Sequence, residues 1–231
     1  MEINQKNKII FVSLFVLIET ILTILVQTTT GTLLTVVSFG AVVCAFLFSF
    51  LTLKKDFDSV LTTIGLFTTV IADIFLVVLH AQFQVIAMFS FSITQICYFT
   101  RIYLNHSNKK IKLIHIVVRL SLILIAITAT FLVLKDKTDL LSLISLFYYA
   151  NLLINVIFSL ADNKNIIFSI GLICFAMCDL FIGFNIMSSS YIELSEGTFL
   201  YFLANPGFNI AWLFYVPSQA LIALSNIKKK E

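Results

Sequence analysis

The chain has 231 residues, of which 60% are hydrophobic and 12% are charged, and its formal net charge is +3. Soluble domains carry about 25% charged residues, so this composition excludes a soluble globular protein and indicates a polytopic membrane protein. Only two prolines and seven glycines are present, which leaves no flexible linker, and we expect a single integral membrane domain over residues 1–231.

A helix needs about 20 apolar residues to cross the hydrocarbon core of a bilayer. Eight stretches meet this requirement, and helices are the only plausible spanning structure because hydrocarbon cannot satisfy free backbone groups. We therefore predict an all-α membrane protein, a bundle of about eight transmembrane helices. The predicted spans 1 to 8 cover residues 9–27, 32–53, 59–79, 83–104, 112–134, 139–160, 165–187 and 208–227.

The distribution of basic residues predicts the orientation. One side has only Lys135 and Lys137, which Asp136 and Asp139 offset. The positive-inside rule places the other, basic side in the cytoplasm, together with both termini, and in a bacterial cell this membrane is the plasma membrane. The basic residues on that side are Lys6, Lys8, Lys54, Lys55, Arg101, Lys109, Lys110, Lys112, Lys164 and the lysines at 228–230.

Spans 3 and 7 contain the same sequence pattern. A Gly-Leu pair at 65–66 precedes Asp73 in GLFTTVIADIFL, and a second pair at 171–172 precedes Asp179 at the same spacing in GLICFAMCDLFI. Both spans run in the same direction, so both carboxylates are expected at a similar depth, in the outer half of the bilayer. A carboxylate inside a membrane is costly and marks a functional site by default. Spans 1–4 and 5–8 are therefore predicted to be two parallel copies with a site between them.

Each Asp is expected to face the bundle interior, because small residues that let helices approach closely share its face. A pocket with two carboxyls, two amides and several phenols, walled by Phe and Leu, suits a ligand with a polar head and an apolar tail. The alternative is that these polar groups only join helices, at about 1 kcal/mol each. The small residues are Gly65, Thr69, Ala72, Gly171 and Gly183; the candidate site residues are Asp73, Asp179, Gln95, Tyr98, Tyr215 and Gln219, with Phe91 and Trp212 as aromatic neighbours.

Other polar residues within the spans allow more than one interpretation. Glu19 is either a third carboxyl of the site or the partner of a Lys or Arg. Arg119 lies early in span 5, and we expect its side chain to extend to the cytoplasmic interface. Asn151 and Asn155 give span 6 a polar face that could line the same cavity as the two Asp residues.

Metal and cofactor sites find no support in the sequence. His80 and His106 fall in predicted loops and His115 at the start of a span, without zinc-binding spacing. GxSxG, P-loop and GxGxxG motifs are absent. We expect no metal, no organic cofactor and no nucleic-acid partner. The four cysteines, Cys44, Cys97, Cys174 and Cys178, lie in apolar runs and are predicted to be small buried residues.

Four segments resemble the YhhN family, which includes the mammalian lysoplasmalogenases. GLFTTVIADIFLVV is similar to that family's Gly-Leu…Gly-Asp span, and AMFSFSITQICYF to the span that follows it. GLICFAMCDLFIG and LFYVPSQALIALS are similar to its second Asp motif and its terminal Tyr…Gln span. The pattern departs from the family at Ala72, where Gly is usual, at Gln95, where His is common, and in lacking a Lys-Pro motif near span 2.

The resemblance implies hydrolysis of the vinyl ether bond of lysoplasmalogens, with Asp73 and Asp179 as a catalytic pair that shares one proton. It also implies that Gln95, Tyr98, Tyr215 and Gln219 bind a membrane lipid or lysolipid. Two other functions remain open from the sequence. One is a permease that uses the Asp pair as a proton relay, and the other is a non-catalytic lipid-binding protein with the same polar cavity.

Overall fold

The computed structural model of the protein describes residues 5–79, 83–162, 165–190 and 194–227, and within these ranges all regular structure is helical. Eight of the described helices are long and apolar enough to cross a membrane, which confirms the predicted all-α bundle. The α-helices are α1 (Gln5–Thr28), α2 (Gly31–Leu51), α3 (Phe57–Asp73), α4 (Gln84–Asn105), α5 (Lys109–Leu134), α6 (Leu140–Asp162), α7 (Ile166–Ser190), α8 (Phe199–Ala204) and α9 (Ile210–Leu224).

Local sequence signals explain where several helices begin. The side chain of Asp56 accepts a hydrogen bond of 2.8 Å from the Ser59 amide and so caps α3. Asn108 caps α5 in the same way through the Lys110 amide. These caps satisfy backbone donors that have no partner within the helix. At the start of α2, Gly31 adopts a φ of 59°, which glycine tolerates without steric cost.

Helix α3 changes its hydrogen-bonding pattern directly after Asp73. The next five residues, Ile74–Val78, form a π-helix, and together the two segments complete the third span. π turns are rare, and they occur frequently at functional sites. The hydrophobic pattern of the sequence predicted one continuous span here and gave no sign of this change.

Seven of the spans form a closed ring in the order α1, α2, α3, α4, α6, α7 and α9, and α9 returns to α1. Helix α9 also contacts α2 and α3 and therefore occupies a central position. Helix α5 lies outside the ring and packs mainly against α6. The outer faces carry exposed apolar side chains, such as Leu113, Leu120 and Leu124 on α5, as expected of surfaces in contact with lipid.

A buried ion pair ties four helices together at one end of the bundle. Arg101 of α4 donates to both carboxylate oxygens of Asp58 on α3, at 2.9 and 3.1 Å. Its guanidinium also donates to Ser225, after α9, and stacks on the ring of Phe168 from α7. Arg101 is thus a structural residue and not only a charge that sets orientation.

Parts of the segment between spans 7 and 8 are helical. Helix α7 extends to Ser190, and the short helix α8 follows, capped by the Thr198 side chain. Several residues used in the sequence analysis, His80, Lys164 and those at 228–230, lie outside the described residues. The cytoplasmic position of the termini and the internal repeat stay predictions.

Candidate active site

Asp73, the first of the two membrane carboxylates, occupies the last turn of α3 and is 1% exposed. Its carboxyl accepts a hydrogen bond of 2.7 Å from the hydroxyl of Tyr215 on α9. Ala72 beside it is fully buried, so this turn of α3 faces the interior of the bundle. The bond joins the third span to the last one, which are in contact because α9 occupies a central position in the bundle.

Asp179, the second carboxylate, lies in the middle of α7 and has a different phenol as partner. Tyr148 of α6 donates a hydrogen bond to it. Asp179 is partly exposed, whereas Asp73 is buried. The two carboxyls therefore differ in exposure as well as in their phenol partner.

The two carboxyls lie near each other in the bundle. Asp73 and Asp179 are close enough to interact electrostatically, and Tyr148 also interacts with Asp73. The ring of Phe175 lies between the two phenols, with centroids 6.4 Å from Tyr148 and 5.5 Å from Tyr215. Buried aromatic rings thus surround the pair, and such surroundings strengthen electrostatic interactions by excluding water.

The glycine that opens each repeated pattern allows the neighbouring helix to approach. A Cβ on Gly65 would collide with the ring of Tyr98 on α4, and Thr94 of α4 donates to the Gly65 carbonyl at 3.2 Å. A Cβ on Gly171 would lie 2.8 Å from Ile222 Cγ1 and 3.1 Å from the Ile222 backbone nitrogen on α9. At Gly183, by contrast, a Cβ would meet nothing within 4 Å, so this third glycine has no close-packing role.

The predicted substrate-binding residues lie in three different surroundings. Tyr215 contacts Asp73 directly, and Gln219 lies one turn further along α9 with its Oε1 unpaired. Tyr98 is fully buried against Gly65, about 12 Å along α3 from Asp73 at ~1.5 Å per residue. Gln95 is also fully buried and bonds to α6 instead of to either Asp.

Arg119 corrects one expectation from the sequence. Its side chain does not extend to the membrane interface; it is 9% exposed and turned toward α6. The guanidinium donates to Asn151 and, at 2.6 Å, to Asn155, and it lies over the ring of Phe99, 4.2 Å from the centroid. The amides of α6 stabilise the cation in this position, which a simple rule of distance from the helix start cannot predict.

Glu19 belongs to a separate place in the fold. It is buried on α1 and interacts with the Cys44 thiol of α2, so its partner is neither a Lys nor an Arg. Neither of its carboxyl oxygens has another hydrogen-bond partner in the described part of the chain. Within the same residues, no three His, Cys, Asp or Glu side chains form a group that could hold a metal ion.

Two buried residues in or near the site were not identified from the sequence. Tyr148 was not among the predicted site residues, although it is the partner of Asp179. His115 was assigned to the start of a span, although it is fully buried beside Arg119. The signal for Tyr148 was its helical spacing: it lies three residues before Asn151 and seven before Asn155, on the same face.

These features define a class: a polytopic α-helical membrane protein with a buried site of two carboxyls and two phenols between four spans. The YhhN family model matches residues 33–226, which is most of the chain, and the protein belongs to the YhhN family. No curated protein and no solved structure matches the chain.

Proposed function

We propose that the protein is an intramembrane hydrolase that cleaves the vinyl ether bond of lysoplasmalogen-type lysolipids. The observation that carries this proposal is the Asp73 and Asp179 pair, in which each carboxyl has its own phenol donor. Membership of the YhhN family is consistent with a lysoplasmalogenase-like role. Hydrolysis of this bond requires a proton donor and a group that directs water, and two carboxyls can supply both functions.

The proposed reaction begins with protonation of the vinyl ether. One carboxyl transfers its proton to the alkene carbon that is not bonded to oxygen, and an oxocarbenium ion forms. The second carboxyl accepts a proton from a water molecule as that water attacks the oxocarbenium carbon. The resulting hemiacetal collapses to a fatty aldehyde and the free glycerol hydroxyl, so the net reaction adds one water. A carboxylate beside the cation also stabilises it electrostatically.

The unequal exposure of the two carboxyls supports an assignment of roles. Burying a charge away from water costs free energy. The buried Asp73 is therefore suited to be the neutral acid that donates the proton. Asp179 is partly exposed, and it suits the carboxylate that directs water. Tyr215 and Tyr148 hold the two carboxyls in place through their hydrogen bonds.

The aromatic surroundings of the pair fit a substrate with an apolar tail. Phe91 of α4 packs against both Tyr148 and Phe175, with centroid distances of 5.5 and 5.9 Å. Trp212 packs edge-on against Tyr215. In this proposal the hydrocarbon chain next to the vinyl ether lies along these rings, and Gln219 offers a polar contact to the glycerol.

A permease is the second candidate, and one observation favours it. Helices interrupted near a midplane site are typical of transporters; here a π-helix follows Asp73, and Pro217 lies within α9. The corresponding part of α7 does not favour a permease, because the residues after Asp179 remain α-helical. The interruption is thus not repeated in the two halves, and we favour the hydrolase.

The test uses the full-length protein in detergent with lysoplasmenyl-ethanolamine, and it follows release of the fatty aldehyde. We expect turnover by the intact protein and a loss of at least about 100-fold in Asp73→Asn and in Asp179→Asn, the usual scale of acid–base catalysis. Glu19→Gln is the matched control, since it also converts a buried membrane carboxyl to an amide, but Glu19 interacts with Cys44 of α2 and not with either Asp of the pair.

Two results would contradict the proposal. Full activity in either Asp variant would show that the pair is not catalytic. Absence of turnover by the intact protein with vinyl ether, alkyl ether and ester lysolipids would instead favour a lipid-binding protein or a permease. Proton-coupled uptake into vesicles that is lost in both Asp variants would support the permease specifically.

A further inference from the structure

A second polar cluster lies next to the Asp pair, centred on Arg119. Its members come from α4, α5 and α6: Arg119, His115, Asn151, Asn155 and Gln95. The same two helices that supply Phe91 and Tyr148 to the Asp site supply Gln95 and the two Asn side chains to this cluster. Along α6, Asn151 follows Tyr148 by three residues, or about 4.5 Å of helix rise at ~1.5 Å per residue.

The cluster carries a positive charge that no carboxylate balances. The described hydrogen bonds of Arg119 go to two neutral amides and one imidazole, and no acidic side chain interacts with it within the described ranges. Arg101, the other arginine of the chain, forms an ion pair with Asp58. Buried charges in proteins are normally paired, so Arg119 lacks the partner that a buried guanidinium requires.

The hydrogen bonds of the cluster have a fixed direction because a guanidinium can only donate. Arg119 therefore fixes both Asn side chains with their carbonyl oxygens toward it. Asn155 must then present its NH₂ group to Gln95, and it donates to Gln95 Oε1 at 2.9 Å. As a result, Gln95 turns its own NH₂ group away from these partners, and that nitrogen has no acceptor in the described structure.

The same reasoning fixes the histidine. His115 Nε2 lies 3.2 Å from an Arg119 nitrogen that can only donate, so Nε2 accepts and the ring proton is on Nδ1. That Nδ1 and the Arg119 Nε are also without partners among the described residues. The cluster therefore has three unused nitrogen donors, one net positive charge and no unused oxygen acceptor.

We propose that this cluster is an anion subsite that binds a phosphate group, and that its ligand is the head-group phosphate of the lysolipid. Phosphate offers several acceptor oxygens to a planar guanidinium and carries the missing negative charge. In a lysolipid only the glycerol backbone separates the ether oxygen from the phosphate, and the cluster lies one helical turn from Tyr148. The assignment to a lysolipid rests on the proposed function, whereas the preference for phosphate rests on the cluster alone.

The experiment measures binding without catalysis. The probes are a saturated alkyl-ether lysophosphoethanolamine, which has no vinyl ether to cleave, the matching alkyl glycerol without phosphate, and inorganic phosphate. Each is titrated into the full-length protein in detergent, and binding is followed by the emission of Trp212, the only tryptophan of the chain, which packs against Tyr215.

Three variants test the cluster. Arg119→Gln removes the charge, and Asn151→Asp places a competing carboxylate beside the guanidinium with almost no change in volume. Lys112→Gln is the control, because it removes a positive charge from the same helix outside the cluster. Thermal unfolding of each variant shows whether it is folded, and Asn151→Asp decides the question if Arg119→Gln does not fold.

We expect the wild type and Lys112→Gln to bind the phosphate-bearing lipid at least about tenfold more tightly than the alkyl glycerol, the scale of one or more charge-assisted hydrogen bonds. Arg119→Gln and Asn151→Asp should lose this preference and keep their affinity for the alkyl glycerol. An unchanged preference in a folded variant would overturn the proposal. Arg119-dependent binding of inorganic phosphate, without any preference for the lipid phosphate, would overturn the lipid assignment.

The outcome is separable from that of the proposed function. Asp73→Asn should abolish turnover of lysoplasmenyl-ethanolamine but leave the binding preference intact. If the protein binds the phosphate-bearing lipid through Arg119 and hydrolyses no lysolipid, the subsite stands and the hydrolase fails. If the protein hydrolyses the lipid and Arg119 does not affect binding, the hydrolase proposal stands and the subsite proposal fails.

Discussion

Replacement of Gly171 by Ala tests how the site is assembled from its helices. The added Cβ would lie 2.8 Å from Ile222 Cγ1, 3.1 Å from the Ile222 nitrogen and 3.2 Å from the Ser218 oxygen. Two of these neighbours are backbone atoms of α9, and a rotamer change cannot relieve the collision with them. Helices α7 and α9 must therefore separate, which displaces α9 and with it Tyr215, the partner of Asp73.

The size of the effect follows from a comparison with Gly183 of the same helix. Both substitutions gain the intrinsic helix preference of Ala over Gly, about 1 kcal/mol. Only Gly171→Ala adds an atom to a filled space, at a cost of about 1–3 kcal/mol. The difference in melting temperature between the two variants should therefore be roughly 2–12 °C, at about 2–4 °C per kcal/mol for a chain of this size.

The assay is thermal unfolding of the two variants and the wild type in the same detergent, followed by circular dichroism at a helical wavelength. Gly183→Ala should unfold at or above the wild-type temperature, because its Cβ meets nothing within 4 Å. Gly171→Ala should unfold at or below the wild-type temperature, and below Gly183→Ala, and it should also lose aldehyde release. Equal melting temperatures for the two variants would refute the close approach of α7 and α9 at Gly171.

Three further changes have defined outcomes. Arg101→Lys should lower stability by about 1–3 kcal/mol, measured by thermal unfolding, because an ammonium cannot reproduce the two-pronged contact with Asp58. Unchanged stability would show that this two-pronged contact does not contribute to stability. Tyr215→Phe should lower aldehyde release about tenfold with little change in melting temperature, since it removes one hydrogen bond to Asp73. Asp56→Ala should cost about 1 kcal/mol of stability through loss of the α3 cap, and an effect on activity larger than that on stability would contradict a purely structural cap.

Much of the architecture could be predicted because lipid imposes strict rules on a sequence. The length and apolar character of each span follow from the thickness of the bilayer, and all eight predicted spans match described helices. The cost of an intramembrane carboxylate likewise drew attention to Asp73 and Asp179. Span length and an intramembrane carboxylate are local features of the sequence, and they can be recognised without knowing how the helices pack.

The positions of α5, Arg119 and Tyr98 depend on how the helices pack, and the pattern of a single sequence does not predict this packing. Nothing in the pattern of span 5 indicates that α5 lies outside the ring, and this position determines that Arg119 turns toward α6 and not toward the interface. Tyr98 follows Gln95 by one turn and was expected beside it in the pocket. The close approach at Gly65 instead uses the Tyr98 ring to fill the space between α3 and α4.

The alignment of the two halves stays a prediction, and it offers a reason why the two carboxyls have different partners. In that alignment Tyr215 corresponds to Phe91, as the segments ending in Gln219 and Gln95 indicate. Phe91 has no hydroxyl to offer Asp179, and the donor comes from Tyr148, against which Phe91 packs at 5.5 Å. A strictly symmetric site would hold two equivalent carboxyls. In the predicted alignment a phenyl ring takes the place of one phenol, and the acid and the base of the proposed mechanism, with their separate functions, need such a difference.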